Sequence, residues 1–184
     1  MTYKTTKILK DSLLMLCLTA ILSMISGTFL NISNRVITKF SIILLIVPAF
    51  ISISGNIASI IASRISTALH LGKIHQFKKS EVINQNIIAS LIIGLISFTI
   101  IGIIGETVLR LVGKGGMGYL HFLFVTIFAG VTSTLLISGL SVIIAYLSFK
   151  YGFDPDNTTI PLITTLGDVF GICILILTIK LIGG

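Results

Sequence analysis

Apolar and polar stretches alternate along this chain in blocks far longer than β-strands. Five apolar runs, approximately 12–32, 41–71, 87–105, 120–149 and 159–182, are joined by short polar links. Each run reaches or approaches the roughly 20 residues a helix needs to cross a bilayer. The pattern predicts an all-α, polytopic membrane protein with five transmembrane helices. The first run follows Lys4, Lys7 and Lys10, an arrangement that signal peptides share. Its length and the lack of a small-x-small cleavage site before Asn31 favour a first spanning helix, in which Ser23 and Gly27 form a small-xxx-small packing pair.

The second run is not uniformly apolar. Pro48 interrupts helical hydrogen bonding, and Ser52, Asn56, Ser59, Ser63 and Ser66 recur at helical spacing down one face. Small residues suit helix contacts, but Pro48 with Gly55-Asn56 predicts freed carbonyls, tolerated at depth only against protein or a water-filled cavity. This face is therefore read as lining a path. The third run places Ser90, Gly94, Phe98 and Gly102 on one face and reads as scaffold. The fourth carries a comparable small and hydroxyl stripe at Gly130, Thr134, Ser138 and Ser141. The links 72–86 and 106–119 read as connectors, the second glycine-rich but preceded by no strand that would make it a phosphate cradle.

The last run contains the chain's anomaly, Asp168. A helix capped by Asn157, Thr158 or Thr159, with Pro161 in its first turn, puts this carboxylate about 14 Å along, near the middle of a hydrocarbon core about 30 Å thick. Intramembrane carboxylates are neutralised, paired or functional. The competing structural role for Asp168 is an ion pair with Arg64 or a hydrogen bond to Thr164.

Composition agrees with the pattern: of 184 residues 54% are hydrophobic and 10% charged, and the mean hydropathy is +1.10. So little polar sequence leaves no room for a soluble regulatory domain, and residues 1–184 read as one transmembrane domain. The net charge of +7 does not indicate nucleic acid, because the basic residues flank apolar runs rather than forming a face. They set orientation instead. With the N-terminus inside, Lys4, Lys7, Lys10, Lys73, Lys78, Lys79 and Lys150 are cytoplasmic, against Arg35, Lys39, Arg110, Lys114 and Lys180 outside. The expectation is an integral protein of the plasma (inner) membrane, N-terminus cytoplasmic and C-terminus outside. Cys17 and Cys173 read as small hydrophobes, and His70 and His75 as solvated loop neighbours without metal-pair spacing. No nucleophile–base set occurs in the runs, so an enzyme is not expected.

Two motifs are more specific. Val47-Pro48-Ala49-Phe50 to Ser54-Gly55-Asn56, continuing into Ala62-Ser63-Arg64-Ile65-Ser66-Thr67-Ala68, resembles the proline and Gly-Asn signature of the MgtE magnesium channels, more closely in its eukaryotic solute-carrier form. Asp154-Pro155-Asp156-Asn157, then Pro161 and Thr164-Thr165-Leu166-Gly167-Asp168, resembles the same family's last-helix signature. The resemblance spans nearly the whole chain. It implies two five-helix units, as a homodimer or with a paralogous half, and an ion path between them faced by Asp168 from both sides. Ser54 departs from the glycine usual in bacterial members, and the bacterial gating domains have no counterpart here, so closure by such a domain is not carried over.

The resemblance thus implies Mg²⁺ as the transported ion, with no organic cofactor. Its hard, strongly hydrated character suits oxygen ligands with retained waters, and the runs hold no thiolate or imidazole cluster suited to zinc or copper. The expected metal site is Asp168, Asn56, Gly55, Thr164 and Ser52; the expected lining is Pro48, Ser59, Ser63, Gly167 and Gly171. Asp154, Asp156 and Asn157 stand either at the mouth of the path or as a helix cap. The alternative function is a non-transporting membrane subunit whose polar stripes only pack helices.

Overall fold

The computed structural model describes residues 5–32, 42–74, 80–113 and 118–182. Lys4, Arg35, Lys39, His75, Lys78, Lys79 and Lys114, on which the expected orientation and the loop position of His75 depend, lie outside them. The described residues form five helices: α1 (Thr5–Ile32), α2 (Ile42–His70), α3 (Glu81–Leu111), α4 (Tyr119–Lys150) and α5 (Pro155–Ile182). All five are long and apolar enough to cross a membrane, and the exposed flanks of α1 and α3 carry Leu13, Leu16, Met24, Ile92, Ile96 and Ile100, as a lipid-facing surface requires. The protein is an integral membrane protein.

α5 packs against α1, α2 and α4, and α2 also contacts α3 and α4, so α2, α4 and α5 form the centre and α1 and α3 the flanks. α1 turns Thr19 and Ser26 inward. The pair expected to pack, Ser23 and Gly27, is exposed instead, and nothing lies within 4 Å of where a Cβ on Gly27 would stand.

Three expected boundaries move. α3 continues through the segment read as a connector, so Glu106 and Arg110 are helical. α5 begins at Pro155, not near Thr159. Asp154 caps it, its Oδ1 accepting the Asp156 N–H at 3.1 Å and its backbone carbonyl accepting the Thr158 N–H at 3.1 Å. Pro155 then takes the first helical position, where a missing N–H costs nothing, and Pro161 lies inside the helix. Finally, α2 is continuous through Pro48 and Gly55-Asn56 rather than broken. Pro48 removes a single ladder bond, to the carbonyl four residues earlier, while Gly55 keeps helical geometry.

The stripe on α4 is a packing face and not a second path-lining one. Ser90 meets Ser138 at 2.9 Å, a Cβ on Gly94 would stand 2.7 Å from Thr134 Oγ1, the Phe98 ring fills the space over Gly130, and Thr126 fills that over Gly102. Each four-residue step along α3 is answered by a four-residue step back along α4, the interlocking of i±4 ridges. The scaffold role read for Ser90, Gly94, Phe98 and Gly102 is where this structure puts them. Phe98 continues onto Phe50 of α2, with ring centroids 4.5 Å apart.

Candidate ion site on the seam between α2 and α5

Asn56 is the midpoint of α2 and Asp168 sits at the midpoint of α5, so both stand near mid-depth in the bilayer. The two helices come close there because both are glycine at the crossing. A Cβ on Gly167 would lie 3.4 Å from the Gly55 Cα and N, and one on Gly55 would lie 3.1 Å from Thr164 Cγ2 and 3.4 Å from Asp168 Oδ1. The Asp168 carboxylate therefore rests over bare Gly55 backbone. One turn on, Gly171 leaves room for the buried Ser54, whose Oγ would be 3.4 Å from its Cβ.

Asp168 is half-buried. Among the described residues no ion pair or hydrogen bond reaches its carboxylate. Arg64 does not meet it, since that side chain lines a cleft on the α3 side of α2. The Thr164 hydroxyl is engaged elsewhere: it donates to the Ile160 carbonyl at 2.8 Å, and stands 2.8 Å from Ser59 Oγ, which in turn donates to the Gly55 carbonyl at 2.9 Å. Two protons serve these three contacts. When one hydroxyl donates to the other, a lone pair on the Gly55 or Ile160 carbonyl is left open on the seam.

The remaining expected residues divide by exposure. Pro48, Ser52, Asn56 and Ser63 are exposed on the single chain, Ser59 is half-buried, and Ser66, from the same stripe, is turned fully into the core. Asn56 has no hydrogen-bond partner among the described residues. An uncovered asparagine amide at bilayer mid-depth cannot be satisfied by acyl chains.

The second expected group lies at the end of the bundle where α2 finishes and α5 begins. Besides capping the helix, Asp154 accepts from Asn157 Nδ2 at 3.2 Å, so the cap is Asp154, while Asn157 lies within the first turn of α5 and braces the capping carboxylate instead of capping the helix itself. Asp156 is exposed. In the sequence His70 reads as a solvated residue, yet its Nε2 is 3.9 Å from Asp154 Oδ1, and its ring meets Phe149 edge-on at 5.4 Å. Ligand atoms of His70, Asp154 and Asp156 all lie within 4.8 Å of one another. No local spacing could reveal this grouping, because His70 and Asp154 belong to helices whose ends meet only in the fold.

With this geometry in view, a sequence model of the MgtE divalent cation transporters matches residues 47–178, from the start of the α2 motif to the last turns of α5. The chain belongs to the MgtE family. It is 26% identical over 93% of its length to solute carrier family 41 member 3 of Rattus norvegicus, of which it covers 40%. It is also 26% identical over 82% of its length to solute carrier family 41 member 2 of Homo sapiens, of which it covers 27%. The chain therefore spans about two fifths or less of the length of these relatives. The region matched to the MgtE family contains every residue of the seam.

Proposed function

We propose that this chain moves a divalent cation, Mg²⁺ foremost, across the membrane along the α2–α5 seam, with Asp168 as the charged ligand. The observation that carries this reading is the Asp168 carboxylate itself: at mid-depth, half-exposed over Gly55 backbone, and without a counter-charge among the described residues. A carboxylate in that position is costly unless a cation passes or stays there. Asn56, Ser52 and the lone pair left open by the Ser59–Thr164 contact supply neutral oxygens. Such a set suits an ion that keeps part of its water shell, because oriented dipoles hold waters without trapping the cation.

Asn56 and Ser52 face outward from the single chain, so the path closes only when a second five-helix unit, a copy or a paralogue, covers that face. Two Asp168 carboxylates across such an interface would repel each other when empty, and a divalent ion between them relieves both that repulsion and the desolvation cost. In the plasma-membrane orientation with the N-terminus inside, Asp154 and Asp156, with His70 beside them, stand at the cytoplasmic mouth, where the two carboxylates concentrate cations.

The test is Mg²⁺ flux into liposomes holding the purified chain, with Mn²⁺, Co²⁺ and Ca²⁺ as competitors. Flux that is strong for the parent chain and lost in both Asp168→Asn and Asp168→Ala supports the reading. Equal flux in parent and variants removes Asp168 from the site; no flux in any of them favours a non-transporting subunit.

A further inference from the structure

Arg64 is a cation within a membrane-spanning helix, exposed, and without an ion-pair or hydrogen-bond partner among the described residues. It does not project from a flat surface. It lines a shallow, mostly apolar surface cleft between α2 and α3, on a different flank of α2 from the Asp168 seam.

The chemistry of this cleft is graded along its length. Arg64 on α2 and Asn86 on α3 are its lining residues nearest their helix ends, while Ile57, Ile60, Ala89 and Ile93 line it deeper in the bilayer. Arg64 precedes the end of α2 at His70 by six residues, and Asn86 follows the start of α3 at Glu81 by five. The two are therefore about 7.5–9 Å from their helix ends, at similar depth. A helix the length of α2 overhangs a 30 Å hydrocarbon core by about 7 Å at each end, so the Arg64 Cα lies only about 2–3 Å below the headgroup boundary. Its guanidinium reaches that boundary without leaving the cleft. Asn86 spends one amide N–H on the Val82 carbonyl at 2.8 Å, which leaves the other free.

The geometry points to a binding site for an anionic glycerophospholipid, with its phosphate held by Arg64 and Asn86 and the upper part of one acyl chain against Ile57, Ile60, Ala89 and Ile93. The guanidinium fork matches phosphate oxygens, and the remaining Asn86 N–H adds a third donor. Lys73, in the turn just past the end of α2, adds a second basic side chain at this end of the bundle.

The experiment titrates phosphatidylglycerol or phosphatidylcholine into the purified full chain in mild detergent, reading thermal stabilisation and retained lipid by native mass spectrometry. Phosphatidylglycerol is expected to bind the parent chain more tightly than phosphatidylcholine. Arg64→Gln is expected to weaken that binding about tenfold, the loss of one charge-assisted contact, while Arg64→Lys keeps part of it. Ala89→Phe, which fills the apolar end and leaves Arg64 intact, is expected to weaken it as well. Soluble glycerol phosphate is expected not to compete, because it lacks the acyl chain. Equal affinity for the two lipids overturns the proposal, as does unchanged phosphatidylglycerol affinity in Arg64→Gln or Ala89→Phe, or displacement by glycerol phosphate. A change in self-association in Arg64→Gln at constant lipid affinity would assign the cleft to a second copy and equally overturn it.

Discussion

The hydroxyls of Ser59 and Thr164 lie 2.8 Å apart and join α2 to α5 half-way through the membrane. Each also reaches a carbonyl of its own helix, so the two side chains act as a unit. Ser59→Ala or Thr164→Val alone removes one donor but leaves the other a carbonyl to serve, and each is expected to lower stability by about 0.5–1.5 kcal/mol. The double variant is expected to cost less than the two singles together, because the shared contact is lost only once. A double-mutant cycle on thermal or chemical unfolding in detergent measures the coupling, and strict additivity would show that the hydroxyls are independent.

Gly55 and Gly167 face each other across the same crossing but do not have the same room. A Cβ on Gly55 stands 3.1 Å from a Thr164 methyl and 3.4 Å from Asp168 Oδ1, whereas one on Gly167 meets only ordinary contact at 3.4 Å or beyond. Gly55→Ala is therefore expected to push on Thr164 and Asp168, lowering flux severalfold with a smaller effect on stability, while Gly167→Ala stays nearer the parent in both. Flux and melting measured side by side check the contrast. Equal responses would mean that the seam gives way as a whole.

Much of this fold could be read from the sequence, since apolar run length and polar links specify five helices almost directly. The seam was legible in its residues, Gly55, Asn56, Thr164 and Asp168 each standing out as polar or small in an apolar setting. The direction of the stripes was not. The second and fourth runs carry the same kind of small and hydroxyl spacing, yet the first leaves Asn56 and Ser52 outward while the other buries Gly130 and Thr134 under Phe98 and Gly94. A small residue suits a polar path and a close helix contact equally well, and only the partner's shape separates them. Gly55 is the sharper lesson. In the sequence it reads as a break in the helix, but its service is the absence of a side chain where a carboxylate and another backbone approach.

The α3–α4 interlock carries its own expectation. In Gly130→Ala the new methyl would overlap the Phe98 ring and Cβ, and Phe98 is also held by Phe50. The ring has nowhere to retreat, so the substitution is expected to cost about 1–3 kcal/mol. Phe98→Leu in the same chain should restore part of the loss by giving back volume. Unfolding midpoints of the two singles and the double test this, and a double no more stable than Gly130→Ala would place the strain elsewhere.

Asp154 holds the start of α5 through both carboxylate oxygens. Asp154→Ala is expected to lose about 0.5–2 kcal/mol, and Asp154→Asn or Asp154→Ser, which still present an acceptor, much less. Flux separates capping from ion attraction at this end. A pure cap predicts that Asp154→Asn transports like the parent, whereas a cation-concentrating mouth predicts a loss that shrinks as ionic strength rises and screens the charge.

In the sequence Glu106 reads as part of a connector, yet it is the most deeply buried acid among the described residues, at 0% exposure. Its Oε1 accepts from Arg110 Nε at 3.2 Å, and Oε2 has no partner among the described residues. Arg110 in turn lies 4.4 Å from the centroid of Tyr119, the first residue of α4, whose hydroxyl is 3.1 Å from that of Thr107. This chain of contacts fastens the end of α3 to the start of α4 beside a turn. Because Arg110 is largely exposed, the ion pair by itself contributes little, but removing the cation leaves a buried carboxylate unpaired, which is far more costly. Arg110→Ala is therefore expected to destabilise strongly, on the order of 3 kcal/mol. Arg110→Lys, which keeps the charge but loses the planar fork and the stacking, should fall between it and the parent. Adding Glu106→Gln to Arg110→Ala removes the stranded charge and is expected to recover part of the loss. Melting curves of this set in one detergent decide the point. Recovery in the double variant means that the cost lies in the unpaired carboxylate, and its absence means that the Arg110–Tyr119 stacking holds the turn.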